Sequence, residues 1–195
     1  MPPESLNREH WLSRAVEELR PMFSEAQLLL IDKIHVSVGF PSRGATSAKN
    51  RTLGQCWSGM QSADEAPQIF ISPVLADSSR VLDVLIHEMI HVSVGTKAGH
   101  GAPFKRAMGP LGLEGKPTAT VASPWLKEKL DRMVRDALGI YPHPELTVLG
   151  KDKKQGTRLL KAECPSCGYT VRVTAKWIEV GMPTCPCGDQ LDLSV

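Results

Sequence analysis

One stretch, Val81–Phe104 (VLDVLIHEMIHVSVGTKAGHGAPF), constrains this chain more than any other. Within an apolar run of helical spacing it carries His87-Glu88-Met89-Ile90-His91, an HExxH element. Residues four apart share a helix face, so two imidazoles can be turned on one ion. Glu88 stands one position round, in reach of a water on that ion without ligating it. A catalytic zinc site takes three protein ligands and keeps one position open, so a third ligand should follow. His100, in His100-Gly101-Ala102-Pro103-Phe104 just past the break at Gly95, is the candidate. The competing reading is two histidines falling on one helix by chance. Val84, Leu85, Ile86, Met89, Ile90 and Val92 make most of this helix apolar, so it belongs in a core. A buried histidine pair beside a buried glutamate is costly unless paired or metal-bound. The expectation is therefore a zinc held by His87, His91 and His100, with Glu88 as the catalytic base.

A second cluster of ligand-type residues lies near the C-terminus. Cys164-Pro165-Ser166-Cys167-Gly168 is a zinc-knuckle sequence, two thiolates on a tight turn followed by a glycine that tolerates positive φ. Cys185-Pro186-Cys187-Gly188 is its partner, with the shorter C-x-C spacing. Between the pairs Tyr169–Ile178 alternates like a strand, and 157–162 can pair with it. Four thiolates at one end of a short hairpin describe a zinc ribbon holding a structural zinc on Cys164, Cys167, Cys185 and Cys187. So small a segment cannot build a large core, and metal would supply much of its stability. Disulfide pairing is the alternative, disfavoured by the C-x-C spacing and by the absence of a signal-peptide pattern at the N-terminus. Cys56, the fifth cysteine, reads as a buried small hydrophobe.

The segment from Lys151 to Val180 is locally basic. Lys151, Lys153, Lys154, Arg158, Lys161, Arg172 and Lys176 stand against Asp152, Glu163 and Glu179. Tyr169 and Trp177 lie among them and could stack on unpaired bases, which makes Lys161, Tyr169, Arg172, Lys176 and Trp177 the nucleic-acid candidates. The opposing reading has Trp177 filling a tiny core and the lysines keeping a linker soluble.

Along the rest of the chain, Ser5 is placed to cap a first helix running to about Leu19–Arg20, where Pro21 stops or kinks it. Strands are expected at 34–38, 53–57 and 68–72, the last ended by Pro73. Between the first two lies a small, polar and basic segment, Ala45–Arg51. Asp77, Ser78 or Ser79 can cap the HExxH helix. A short helix over 103–108 and a Gly/Thr/Pro-rich loop over 111–122 follow. Ser123 then caps an amphipathic helix with Pro124 in its first turn and Gly139 past its end. Gly150–Gly156 (GKDKKQG) reads as a linker, so the domains fall at 1–149 and 150–195. Three strands ahead of a metal-bearing helix suit an α+β fold, a small sheet packed on helices with a zincin-type active-site helix, plus the C-terminal zinc ribbon.

Net charge is +2, so composition alone makes no case for nucleic-acid binding. No apolar run approaches a membrane span, and the charged, amphipathic N-terminus has no signal-peptide h-region. The expectation is a cytoplasmic protein, nucleoid-associated if it binds DNA, with no membrane partner and nothing that calls for an obligate oligomer.

HEMIH, then HGAPFKRAM, then two cysteine knuckles resemble the SprT-like family of Spartan-type zinc metalloproteases, over about residues 34–187. A strand ending in Ser-Pro (IFISP) ahead of the HExxH helix belongs to the same pattern. The resemblance implies an SprT-like zincin metalloprotease domain over 1–149, with His87, His91 and His100 on zinc and Glu88 as base. It further implies an endopeptidase acting on DNA-associated or DNA-crosslinked proteins, with a ribbon that contacts single-stranded or damaged DNA. The short Cys185-Pro186-Cys187 knuckle and the lack of a long recruitment tail suit a compact bacterial or phage member. Two other readings stay open at this point: a non-enzymatic nucleic-acid-binding or transcription-associated factor, and a different zinc hydrolase such as a three-histidine ribonuclease. Tyr141 and His143 are candidates for stabilising an oxyanion by residue type only.

Overall fold

The computed structural model describes residues 7–148 and 159–193. The chain falls into two compact units, 1–149 and 150–195, each considered by itself. The linker read at Gly150–Gly156, with Lys151, Lys153, Lys154 and Arg158, lies outside the described residues, as does Ser5.

The first unit opens with α1, Arg8–Glu25, capped by Asn7, whose side chain accepts from the His10 amide at 2.8 Å. The cap is thus two residues beyond the serine the sequence offers. Leu12, Ala15, Val16 and Leu19 form the buried stripe that the spacing predicts, and Trp11 is buried with them. The helix does not stop at Pro21 but runs through it. Pro21 sits on the exposed face, and the extra turn buries Met22 and Phe23. That burial, about 1.5–3 kcal/mol for each large side chain, offsets the one backbone hydrogen bond a proline removes.

Three strands follow, β1 (His35–Val38), β2 (Gly54–Trp57) and β3 (Gln68–Ile71), each within a residue or so of its expected place. The sheet order is β1-β3-β2, with β1 parallel and β2 antiparallel to β3. Ile69 and Ile71 put their side chains into the core, and β2 is left as an edge strand. On this sheet packs α2, Ser78–Val94, the helix of the HExxH element. Asp77 is its cap, accepting from the Arg80 amide at 2.8 Å, and Gly95, at φ 82°, takes the left-handed conformation that ends it. Val81, Leu82, Leu85, Ile86, Met89 and Ile90 are fully buried, so α2 is the central element of this core.

After α3 (Ala102–Met108) the expected loop over 111–122 is instead a hairpin, β4 (Leu113–Lys116) and β5 (Ala119–Ala122). A two-residue connection, Pro117-Thr118, closes it, and Leu113 and Thr120 turn inward. The glycines that make this stretch look like loop permit the hairpin. Gly112 holds φ 79° against Trp125, where a Cβ would come within 2.4 Å of the indole. The last helix, α4 (Pro124–Met133), is capped by Ser123 and continues as a wider π turn through Val134–Leu138 to Gly139.

The second unit is a three-stranded sheet of order β7-β6-β8, built from β6 (Leu159–Glu163), β7 (Thr170–Thr174) and β8 (Asp192–Leu193). The strand expected over Tyr169–Ile178 ends at Thr174, and Ala175–Val180 forms a short helix, α5. The alternation of β-branched residues stops at Thr174, and Ala175 and Lys176 favour helix. Among the described residues only Ala162, Cys164, Cys185 and Leu191 form the core here, with Val171, Val173 and Met182 packed against it. No helix among the described residues is long and apolar enough to cross a membrane.

Candidate metal centres

One helical turn of α2 sets His87 and His91 on the same face, and the chain past Gly95 brings His100 back over them. The Nε2 atom of His100 lies 3.1 Å from that of His87 and 3.3 Å from that of His91. Three ring nitrogens so close suit one shared cation. A tetrahedral zinc, with Zn–N of about 2.0–2.1 Å, separates its nitrogen ligands by about 3.3 Å. The imidazoles also have the right protonation for ligation. Burial and then the neighbouring rings hold His87 down to about 3, and burial and His100 hold His91 down to about 4. His100 is lowered too, by burial. All three are therefore neutral near pH 7, the form in which imidazole ligates a metal.

Phe104, fully buried on α3, is the wedge that sets the three rings. Its centroid is 4.7 Å from those of His87 and His91 and 5.0 Å from that of His100. His87 is fixed on its other side as well, because Nδ1 meets the Thr120 hydroxyl of β5 at 2.8 Å. With Nδ1 donating to that hydroxyl, the lone pair of Nε2 is left facing its two companions. Thr120 is itself held through its carbonyl, which accepts from Arg80, and Arg80 grips both oxygens of buried Asp83 at 2.7 and 2.8 Å. The hairpin is thereby tied to α2 at the level of the site.

Glu88 is buried next to this group. Burial pushes its carboxyl up to about 8, against a hydrogen bond from the Cys56 backbone that works the other way. Gly54 makes room for it: a Cβ there would come within 2.5 Å of Oε1. Cys56 has a thiol pushed up to about 12 by burial and then by Glu88, so it is an inert neighbour rather than a nucleophile. The site opens into a cavity of about 880 Å³ lined by residues of α2, by residues 50–56 and by Lys116 and residues 118–121. Tyr141 and His143 do not line it. Tyr141 is buried against Trp11, and His143 meets the Pro73 carbonyl and Arg8, so both serve packing.

In the second unit all four cysteine sulfurs converge, with Cys164 and Cys187 3.5 Å apart and Cys167 and Cys185 3.4 Å apart. These separations exceed a disulfide bond of about 2.05 Å and are close to the edge of a zinc tetrathiolate, about 3.8 Å for Zn–S of about 2.3 Å. Both members of the short C-x-C pair reach the cluster. Backbone turns shape each knuckle, Gly168 N–H donating to the Cys164 carbonyl and Gly188 N–H to that of Cys185. The Cys167 backbone N–H, donating to Cys164 sulfur, draws that thiol down to about 7, whereas the neighbouring cysteine side chains hold Cys185, at about 12, and Cys187 up, against backbone hydrogen bonds that work the other way.

Of the nucleic-acid candidates, Lys161 and Arg172 stand directly opposite each other on β6 and β7. Tyr169 is 48% exposed, just before β7. Trp177 is 59% exposed on α5, with the Lys176 ammonium 5.3 Å from its ring, so it does not fill the small core.

Three residues that shape the first site were not picked out from the sequence. Thr120 carried no signal, since its strand was not foreseen. Gly54 had one, because a glycine at the head of a strand often marks a close approach. Phe104 stood in the HGAPF motif without an assigned role. A family model described as the SprT-like family matches residues 19–122, a span that includes His87, Glu88, His91, His100, Thr120 and Gly54. No curated protein and no solved structure matches the chain.

Proposed function

The chain belongs to the SprT-like family, and from that premise we propose that it is a zinc-dependent endopeptidase acting on DNA-associated or DNA-crosslinked proteins. The observation that carries the reading is the meeting of three neutral imidazole nitrogens, 3.1 and 3.3 Å apart, beside a buried carboxylic acid. His87, His91 and His100 would hold the zinc. Zinc bound there supplies Lewis acidity, lowering the pKa of water towards about 7 and polarising the scissile carbonyl. Glu88 takes a proton from the attacking water and returns it to the departing amine nitrogen, so that a C–O bond replaces the C–N bond and one water is consumed. The ionised carboxylate, the form that can take that proton, would be favoured by a dication on the neighbouring imidazoles. Gly54 and the Cys56 backbone hold the carboxyl in place. The free edge of β2 beside the cavity offers backbone groups to an extended peptide.

The second unit supports the DNA half of the reading. Four thiols within 4.8 Å of one another fit a structural zinc, and the unit then reads as a ribbon that exposes Arg172, Tyr169 and Trp177, with the half-buried Lys161, paired to Glu163, beside Arg172. Aromatic rings stack on unpaired bases and cations meet phosphates. Glu88→Gln tests the chemistry. Incubated with a DNA-binding protein, with and without single-stranded DNA and chelator, the variant should retain zinc and lose cleavage by about 10²–10⁴-fold. Full activity in that variant would sink the assignment.

A further inference from the structure

The walls of the active-site cavity carry cations that the proposed hydrolysis does not use. Among its lining residues the one carboxylate is Glu88, buried at the floor, whereas Arg51, Arg80 and Lys116 are basic. Arg80 is already committed to Asp83. Arg51 donates from Nε to the Ser47 carbonyl, and neither it nor Lys116 is in an ion pair among the described residues. They line the cavity from different elements, Arg51 leading into β2 and Lys116 at the tip of the β4–β5 hairpin. Arg51 is three residues from Gly54, which abuts Glu88, a span of at most about 11 Å. Lys116 pairs with Ala119, the residue next to Thr120.

Given the protease reading on which this rests, we infer that the groove selects peptides with an acidic side chain within three residues of the bond to be cut, read by Arg51 and Lys116. An extended peptide advances about 3.3 Å per residue, so three residues span about 10 Å, close to the reach from the Glu88 end of the groove to Arg51, and Lys116 lines the same cavity. A cleft lined by one sign of charge focuses its field, attracting a glutamate and repelling a lysine at the same position.

The test uses the full-length zinc-loaded protein and quenched fluorogenic peptides that differ only in carrying Glu, Gln or Lys at positions within three residues of the cut. Expected is a kcat/KM order of Glu over Gln over Lys, with Glu about two- to fivefold above Gln and the gap closing as salt rises. The double variant R51E/K116E should invert the order of the Glu and Lys peptides while zinc content stays the same. Equal rates for the three peptides, with cleavage still abolished by chelator, would overturn the charge selection and leave the protease reading standing. Binding of the same peptides to Glu88→Gln, followed by anisotropy, gives a readout independent of turnover. If single-stranded DNA displaces the Glu peptide there and R51E/K116E abolishes the DNA binding, the groove is a nucleic-acid channel and the inference falls.

Discussion

The two ligand clusters in this chain are built in opposite ways. His87 and His91 project from a helix whose other faces are sealed by Val81, Leu82, Leu85, Ile86 and Ile90, and Phe104 wedges all three rings. The scaffold there stands on its own apolar burial, and the site is an opening in it. The four cysteines have no such support. Two of the four buried residues that make up the second core among the described residues, Cys164 and Cys185, are themselves candidate ligands. In the first unit a fold holds the imidazoles together; in the second, whatever holds the thiolates together holds the fold. Glu88, Asp83 and Thr120 are buried within that scaffold, a cost that its apolar burial must offset.

The sharpest way to break that contrast is to remove metal from the full-length protein. Structural zinc contributes about 10–16 kcal/mol to small cysteine sites, far more than a core of four residues supplies. With chelator present, hydrogen exchange should become fast in peptides from 159–193 and stay slow in peptides from 81–90. Equal loss in both units, or in neither, would show that they do not differ in this way.

Next in size is Gly54→Ala. The added Cβ would strike Glu88 Oε1 at 2.5 Å, so the carboxyl must move. Displacing a catalytic group by about 1 Å costs about 10²-fold in rate, and kcat should fall by that order with zinc content unchanged. A fully active variant would show that Glu88 has freedom that the tight packing denies it. Thr120→Val acts from the hairpin. It removes the hydroxyl that fixes the His87 tautomer, which lowers metal affinity by about 10–100-fold for supporting groups of this kind. Competition with a chromophoric chelator measures it, and Thr120→Ser should restore most of the loss. An unchanged affinity would mean that Phe104 packing alone orients the ring.

These expectations also mark where the sequence was readable. The pairing of His87 with His91 is local, because an i, i+4 spacing on an apolar helix fixes both rings without knowledge of the rest. His100 is nine residues beyond His91 and was found through the ligand count that zinc chemistry demands, not through periodicity. Thr120 lay out of reach, since its place depends on β4 pairing with β5 through glycines that resemble loop, and on Arg80 reaching across from α2. Pro21 misled for a related reason. A local rule favoured ending the helix, and the burial of Met22 and Phe23 overrode it. Trp177 shows the same limit in the second unit, where alternation up to Thr174 suggested more strand than forms.

The smallest effect sits on the outer face of that second sheet. Lys161 and Arg172 are direct cross-strand neighbours, and like charges so placed disfavour pairing, although the Glu163 carboxylate, 2.5 Å from the Lys161 ammonium on the same strand, offsets part of the repulsion. A unit with so little core would not be expected to keep a repulsion that contributes nothing. Arg172→Glu should therefore stabilise the zinc-loaded unit by about 0.2–1 kcal/mol, read as a later denaturant midpoint for its own exchange-protected amides. If the pair exists to meet phosphates, the same change should weaken single-stranded DNA binding and reduce its salt slope by about one. Stabilisation with DNA affinity unchanged would separate the repulsion from any role in binding and leave Tyr169 and Trp177 to carry the interaction. Loss of stability would show that Arg172 is held by the sheet, and that the second unit resembles the first more closely than its core suggests.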